Sequence, residues 1–259
     1  MTPEPPTVGE YLRAVTLAVE VLASSARDAG LEAPVPTCPG WTVRDLLAHQ
    51  GMVHRWATAI VRGADPVTVE TAAIEASGLA DPDPVTWLEA GATDLVDALT
   101  GAPDDLDALV FLREAPPARR FWARRQCHET TVHALDGLSA RLGRHLTARD
   151  ASWVSEKLAV DGIDELLVGF WQRRTKGLRS QSPYTAAVSA DTGDVWLLEV
   201  GPRGTVTRHL QARDGIPSQV RWLHGGAPDL YLALWNRGGT VGDPTGLLPA
   251  WREGGAITW

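Results

Sequence analysis

The chain has 259 residues and a formal net charge of −8, and 44% of its residues are hydrophobic. This composition is typical of a globular protein with one or two domains. The negative charge argues against a nucleic-acid binder, which normally presents a basic face. The chain contains two cysteines, Cys38 and Cys127, which are far apart and form no Cys-x-x-Cys motif. We therefore expect a reducing, cytoplasmic setting. We also expect neither a signal peptide nor a membrane-spanning segment.

The first half of the sequence is predicted to be helical. Apolar residues recur at helical spacing in four segments, at residues 7–29, 42–63, 84–100 and 117–142. The second segment begins at Thr42, a predicted N-cap, with Asp45 three residues later as an acidic form of the capping box. Four such segments predict a four-helix bundle. The predicted loops at 63–83 and 101–116 are long enough for a lid or a substrate-facing edge.

The character of the sequence changes after Gly143. A further helix is predicted over residues 148–174, and a helical run over 227–237 ends at two glycines. Between them, alternating patterns separated by turn residues predict short strands at residues 184–189, 195–200 and 205–210. We therefore predict an α+β protein with two domains, a helical bundle over residues 1–146 and a small α+β domain over 147–259.

A candidate metal site lies in the helical half. Glu129 and His133 are four residues apart in the fourth predicted helix, so they project from the same face. His49 lies on the apolar stripe of the second predicted helix and should face the bundle interior, whereas His54 is rotated away and expected to be exposed. Two imidazoles and a carboxylate form a ligand set that leaves catalytic zinc an open fourth position. The alternative from the pattern alone is two hydrogen-bonded core histidines and a surface carboxylate.

Three stretches of the sequence resemble, in the same order, motifs of the mycothiol-dependent maleylpyruvate isomerase family. They are Pro36–Gln50 (PTCPGWTVRDLLAHQ), Glu129–Asp136 (ETTVHALD) and Ala227–Arg237 (APDLYLALWNR). The resemblance implies a DinB-like N-terminal bundle followed by a sterol-carrier-like C-terminal domain. In the family's isomerases a thiolate adds to a cis double bond, and elimination after rotation restores a trans alkene.

The resemblance also implies a ligand set and a cofactor. It assigns His49, Glu129 and His133 to a zinc ion, or to another divalent metal such as nickel, and it implies mycothiol as the thiol cosubstrate. Coordination would help because the thiolate, not the thiol, is the nucleophile. The resemblance further assigns a catalytic role to Arg237, while the alternative is that this arginine caps the end of its helix.

Several other residues have two interpretations each. Asp136 could orient a ligand histidine or make an ordinary surface contact. Cys38, just before the second helix, could be an activated or a structural thiol. A group of arginines on the fourth helix could attract an anionic ligand or form a solvated face: Arg119, Arg120, Arg124 and Arg125.

These observations predict an enzyme that uses zinc-activated mycothiol to isomerise or S-conjugate a small electrophilic, anionic substrate. Two other classes stay open, a hydrolase that uses zinc-bound water and a non-catalytic protein that binds a small ligand. The expected partners are the substrate and the low-molecular-weight thiol, with no nucleic acid or membrane. The chain is expected to be a monomer or a homodimer.

Overall fold

The structure is a computed structural model that describes residues 4–112, 115–171, 177–211 and 216–254. The chain divides into two compact units. The helical unit comprises residues 7–111 and 115–145, and the α+β unit comprises the described residues from 146 onward together with 4–6 and 112. None of the described helices is both long and apolar enough to cross a membrane.

The helical unit contains five α-helices. They are α1 (Val8–Ala29), α2 (Val43–Val61), α3 (Thr71–Ala80), α4 (Pro84–Gly101) and α5 (Ala118–Leu142). Helix α1 packs against α4 and α5, and α2 packs against α3, α4 and α5. The four long helices therefore form the predicted bundle. The prediction of a loop over 63–83 was wrong, because α3 occupies ten residues of that segment.

The start of α2 is fixed by the predicted capping box. The Asp45 backbone N–H donates to the Thr42 hydroxyl, and the Thr42 backbone N–H donates to the Asp45 carboxylate. The loop before this cap, residues 34–41, is closed by a β-bridge between Pro34 and Thr42 and by a 3.0 Å hydrogen bond from Val35 N to Trp41 O. Its turn requires Gly40, whose φ of 89° lies in the left-handed region. We call residues 34–41 the capping loop.

An aromatic cluster anchors α2 to the first turns of α5. The indole of Trp56 on α2 lies edge-on to Trp122 on α5, with ring centroids 5.1 Å apart. Phe111 packs against Phe121 at 4.9 Å and against Trp122 at 5.8 Å. Because aromatic side chains bury large apolar areas, this cluster holds the two helices that carry the candidate metal ligands.

The α+β unit begins its regular structure with α6 (Glu156–Asp164), which continues as a π-helical segment over Glu165–Phe170. The predicted helix over 148–174 therefore started too early. Ser155 accepts a hydrogen bond from Leu158 N and so caps α6, while Thr147 and Asp150 close a turn before it. Residues 172–174 of that prediction lie outside the described residues.

A four-stranded sheet follows, and two further helices complete the unit. The elements are β1 (Tyr184–Ala190), β2 (Val195–Gly201), β3 (Gly204–Leu210), β4 (Arg221–Gly225), α7 (Ala227–Leu234) and α8 (Leu247–Gly254). The strand order is β3-β2-β1-β4, with antiparallel pairing except between β1 and β4, which are parallel. The three predicted strands are confirmed, whereas β4 and α8 were not predicted.

Candidate metal centre

Helices α2 and α5 bring the three predicted ligands together. Glu129 Oε1 lies 3.3 Å from His133 Nε2 and 3.8 Å from His49 Nε2. The ligand atoms all lie within 4.8 Å of one another. The residues are 7%, 2% and 1% exposed for His49, Glu129 and His133. The interpretation of Glu129 as a surface carboxylate is therefore wrong.

The donor atoms of this cluster fit a divalent cation. Glu129 Oε1 and His133 Nε2 are buried, yet neither makes a hydrogen bond of acceptable geometry with the residues that the structure describes. Leaving a buried polar atom unpaired costs about 1–3 kcal/mol, a cost that bonding to a cation would remove. Two imidazole nitrogens and one carboxylate oxygen are ligands that zinc accepts, and three of them leave its fourth position open.

Arg125 holds the other oxygen of the Glu129 carboxylate. Its guanidinium donates to Glu129 Oε2 at 2.6 Å, and both side chains are only 3% exposed. Arg119 lies in the first turn of α5. It instead donates to Leu99 O at the end of α4 and pairs with exposed Asp104. The predicted arginine cluster is thus divided, since Arg125 belongs to the candidate site and Arg119 serves helix packing.

The charges of the cluster stabilise one another. Burial opposes ionisation of Glu129, but the Arg125 guanidinium and the two histidines hold the pKa of this carboxyl well below its usual value. Burial also lowers the pKa of His133, but its contacts with Asp136 and Glu129 outweigh burial and raise that pKa to about 9. A metal ion would compete with the proton for His133 Nε2, so we expect ion binding to weaken as the pH falls.

A carboxylate lies at the outer nitrogen of each ligand histidine. His133 Nδ1 lies 2.9 Å from Asp136 Oδ2, and the Thr37 hydroxyl donates to Asp136 Oδ1 at 2.5 Å. His49 Nδ1 lies 3.5 Å from Oε1 of Glu75, on α3. Such carboxylates orient metal-binding imidazoles and fix their tautomer. Asp136 is fully buried, so its interpretation as a surface contact is wrong, and Glu75 was not predicted at all.

Two side chains of the capping loop lie beside the histidines. The indole of Trp41 has its ring centre 5.0 Å from that of His49 and 6.2 Å from that of His133, to which it is nearly parallel. Cys38 is half-buried, and its sulfur lies within 4.8 Å of an imidazole nitrogen of His133 and a carboxylate oxygen of Asp136. The thiol is therefore a neighbour of the site, and the capping loop forms one of its walls.

The prediction that His54 is exposed was wrong. This histidine is fully buried, with its Nε2 2.7 Å from Gln50 Nε2 and 2.9 Å from the Thr130 hydroxyl. Burial and the nearby charge of Arg55 lower its pKa to about 3, so the ring is neutral. The prediction failed because α2 packs against three helices and thus buries more than one of its faces.

Arg237 lies in the α+β unit, beyond the end of α7 at Leu234 and its C-cap Trp235. Its backbone N–H donates to Leu232 O at 2.7 Å, and its guanidinium donates to Trp235 O at 2.6 Å. The second contact is that of a side chain capping a helix C-terminus, as in the non-catalytic interpretation. The catalytic role of Arg237 stays a prediction.

The fold and the site together define a helical bundle that carries a buried cluster of two histidines and one glutamate, joined to a small α+β unit. Residues 12–136 match the family model described as the mycothiol maleylpyruvate isomerase N-terminal domain. The helical unit therefore belongs to the N-terminal domain family of the mycothiol-dependent maleylpyruvate isomerases, which confirms the predicted resemblance.

Solved structures extend the likeness over most of the chain. The crystal structure of a mycothiol-dependent maleylpyruvate isomerase is 17% identical, with a TM-score of 0.63 over 93% of this chain and 94% of that one. A mutant of that isomerase is 16% identical, with the same TM-score and coverage. The predicted fold class is thereby confirmed. No curated protein matched the sequence.

Proposed function

We propose that this chain is a metal-dependent enzyme that uses mycothiol to isomerise or S-conjugate a small electrophilic, anionic substrate. The observation that carries the proposal is the buried convergence of two imidazoles and a carboxylate, with two donor atoms lacking hydrogen bonds to the described residues. The similar structures are those of a mycothiol-dependent isomerase, which supports mycothiol as the thiol.

A divalent ion held by His49, Glu129 and His133 would supply a thiolate at neutral pH, because coordination removes the thiol proton. The chain's own side chains prepare the site for that chemistry. Arg125 keeps Glu129 ionised in a buried position. Asp136 orients one imidazole from its outer nitrogen. The Trp41 indole covers one side of both imidazoles and limits the access of water there.

The first experiment measures activity with and without the thiol. Zinc-loaded protein is assayed on maleylpyruvate, the substrate of the similar isomerase, and on an electrophilic alkylating reagent. Activity on one of them should require both the metal and mycothiol. Activity that persists without any thiol would favour the hydrolase, and a metal-bound protein inactive on both would favour the binding protein.

The second experiment measures bound metal in variants. His49→Ala and His133→Ala should lose the ion, as determined by elemental analysis, because each removes one of three ligands. His145→Ala is the matched control, since this histidine is exposed at the end of the helical unit. Normal metal content in either ligand variant would remove the proposed site.

Arg237 is proposed to bind a carboxylate of the substrate, since a guanidinium donates two parallel hydrogen bonds to that group. Arg237→Ala should keep its metal and lose turnover of the anionic substrate. Unchanged kinetics would favour the helix-capping role that its contact with Trp235 O indicates.

A further inference from the structure

Asp136 makes contacts through both of its carboxylate oxygens. Oδ2 lies 2.9 Å from His133 Nδ1, and Oδ1 accepts a hydrogen bond from the Thr37 hydroxyl at 2.5 Å. Asp136 is fully buried in α5, whereas Thr37 lies 99 residues earlier in the chain, on the capping loop. The hydroxyl therefore connects the start of α2 to the outer side of a proposed metal ligand.

We propose that Thr37 is a positioning residue of the metal centre, acting through Asp136 to fix the orientation and the tautomer of His133. The inference rests on the proposed metal site. A carboxylate bound through one oxygen only can rotate about its Cβ–Cγ bond. A donor on the other oxygen restrains that rotation, so Oδ2 stays opposite Nδ1. With its Nδ1–H donated to Asp136, the imidazole keeps the Nε2 lone pair for the metal.

Backbone hydrogen bonds within the capping loop fix the position of the Thr37 hydroxyl before a metal binds. Cys38 N donates to Val35 O and Trp41 N donates to Cys38 O, each at 3.0 Å. The β-bridge between Pro34 and Thr42 closes the loop on the residue that caps α2. The same turn sets the start of α2, the helix that carries His49. The Thr37 hydroxyl therefore helps to keep His49 on α2 and His133 on α5 at a fixed distance from each other.

The carboxylates beside the two ligand histidines differ in distance and in exposure. The carboxylate near His49 belongs to Glu75, lies 3.5 Å from the imidazole nitrogen and is 38% exposed. A hydrogen bond at that distance is at the limit of useful geometry, and solvent weakens it further. His133 has the buried carboxylate of Asp136 behind it and the part-buried hydroxyl of Thr37 behind that carboxylate, so the removal of this one hydroxyl should be measurable in metal affinity.

The test replaces Thr37 by valine, which has the same shape without the hydroxyl, and by serine, which retains it. Zinc affinity is measured by titration against a competing chelator. Removing groups that orient a ligand typically weakens metal binding 10–100-fold. Since Thr37 acts through one intermediate residue, we expect the zinc dissociation constant to rise about tenfold in Thr37→Val and to return to the wild-type value in Thr37→Ser.

Thr58→Val is the matched control. Its buried hydroxyl donates to His54 O within α2 and has no contact with the proposed ligands among the hydrogen bonds of the described residues. Zinc affinity should be unchanged there, and thermal unfolding of the metal-free variants checks that each is folded.

Each outcome decides the inference. Wild-type affinity in Thr37→Val, failure of Thr37→Ser to restore binding, or equal weakening in Thr58→Val would overturn the role of Thr37 while leaving the metal centre in place. A wild-type protein that binds no zinc would instead overturn the metal centre, and this inference with it.

Discussion

Replacing Arg125 by methionine should strongly destabilise the metal-free protein. Arg125 and Glu129 pair at 2.6 Å with side chains only 3% exposed. Removing one member of a buried ion pair costs about 3–5 kcal/mol, and Arg125 is the strongest of the positive groups that keep Glu129 ionised, ahead of His133 and His49. Methionine fills most of the same volume, so little of this loss would come from a cavity. We therefore expect the free energy of unfolding to fall by about 3–5 kcal/mol.

The assay is urea denaturation of the metal-free variant beside Arg27→Met. Arg27 pairs with Glu89 at 2.8 Å, but these side chains are 55% and 38% exposed, and exposed pairs contribute at most about 1 kcal/mol. Adding zinc should narrow the difference in unfolding free energy between Arg125→Met and wild type, because the cation replaces the guanidinium as counterion of Glu129. It should leave the difference between Arg27→Met and wild type unchanged. A loss no larger than that of Arg27→Met would refute the assignment of Arg125 as the partner of a buried, ionised carboxylate.

The remaining predictions concern the α+β unit. Burial lowers the pKa of His209, but the carboxylates of Asp164 and Asp194 outweigh burial and raise it. Its stabilisation is therefore present below the unfolded pKa of about 6.5 and lost as the pH rises through the higher folded value. Unfolding free energies measured across that range should fall more steeply in wild type than in His209→Gln, and equal slopes would contradict this. Gly238→Ala should lower the free energy of unfolding by about 1–3 kcal/mol, because its φ is 132° and a Cβ would collide with the backbone oxygen of Leu146. An unchanged urea midpoint would contradict this.

The sequence was sufficient to predict the residues whose positions follow from a single helix. Glu129 and His133 share a face because they are four residues apart, and His49 lies on an apolar stripe. Glu75 could not be predicted, because α3 consists mostly of small residues and its contact with His49 joins separate helices. His54 was assigned to the wrong environment because helix periodicity does not show how many neighbours surround a helix.

In the α+β unit, too, contacts between distant parts of the chain could not be predicted from the sequence. Strands β1 to β3 follow one another through short turns, so alternation and turn residues predict them. Strand β4 has five residues and pairs in parallel with β1, a contact between distant parts of the chain that no local pattern indicates. The start of α6 depends on the Ser155 cap rather than on the apolar residues before it.

Anomalous diffraction at the zinc edge, from crystals of the zinc-loaded protein, is the most direct test of the metal centre. We predict one strong peak about 2.0–2.2 Å from His49 Nε2, His133 Nε2 and Glu129 Oε1, the usual range for zinc bound to nitrogen and oxygen. No peak among these three atoms, or a peak elsewhere in the chain, would contradict the proposed metal centre and with it the proposed function.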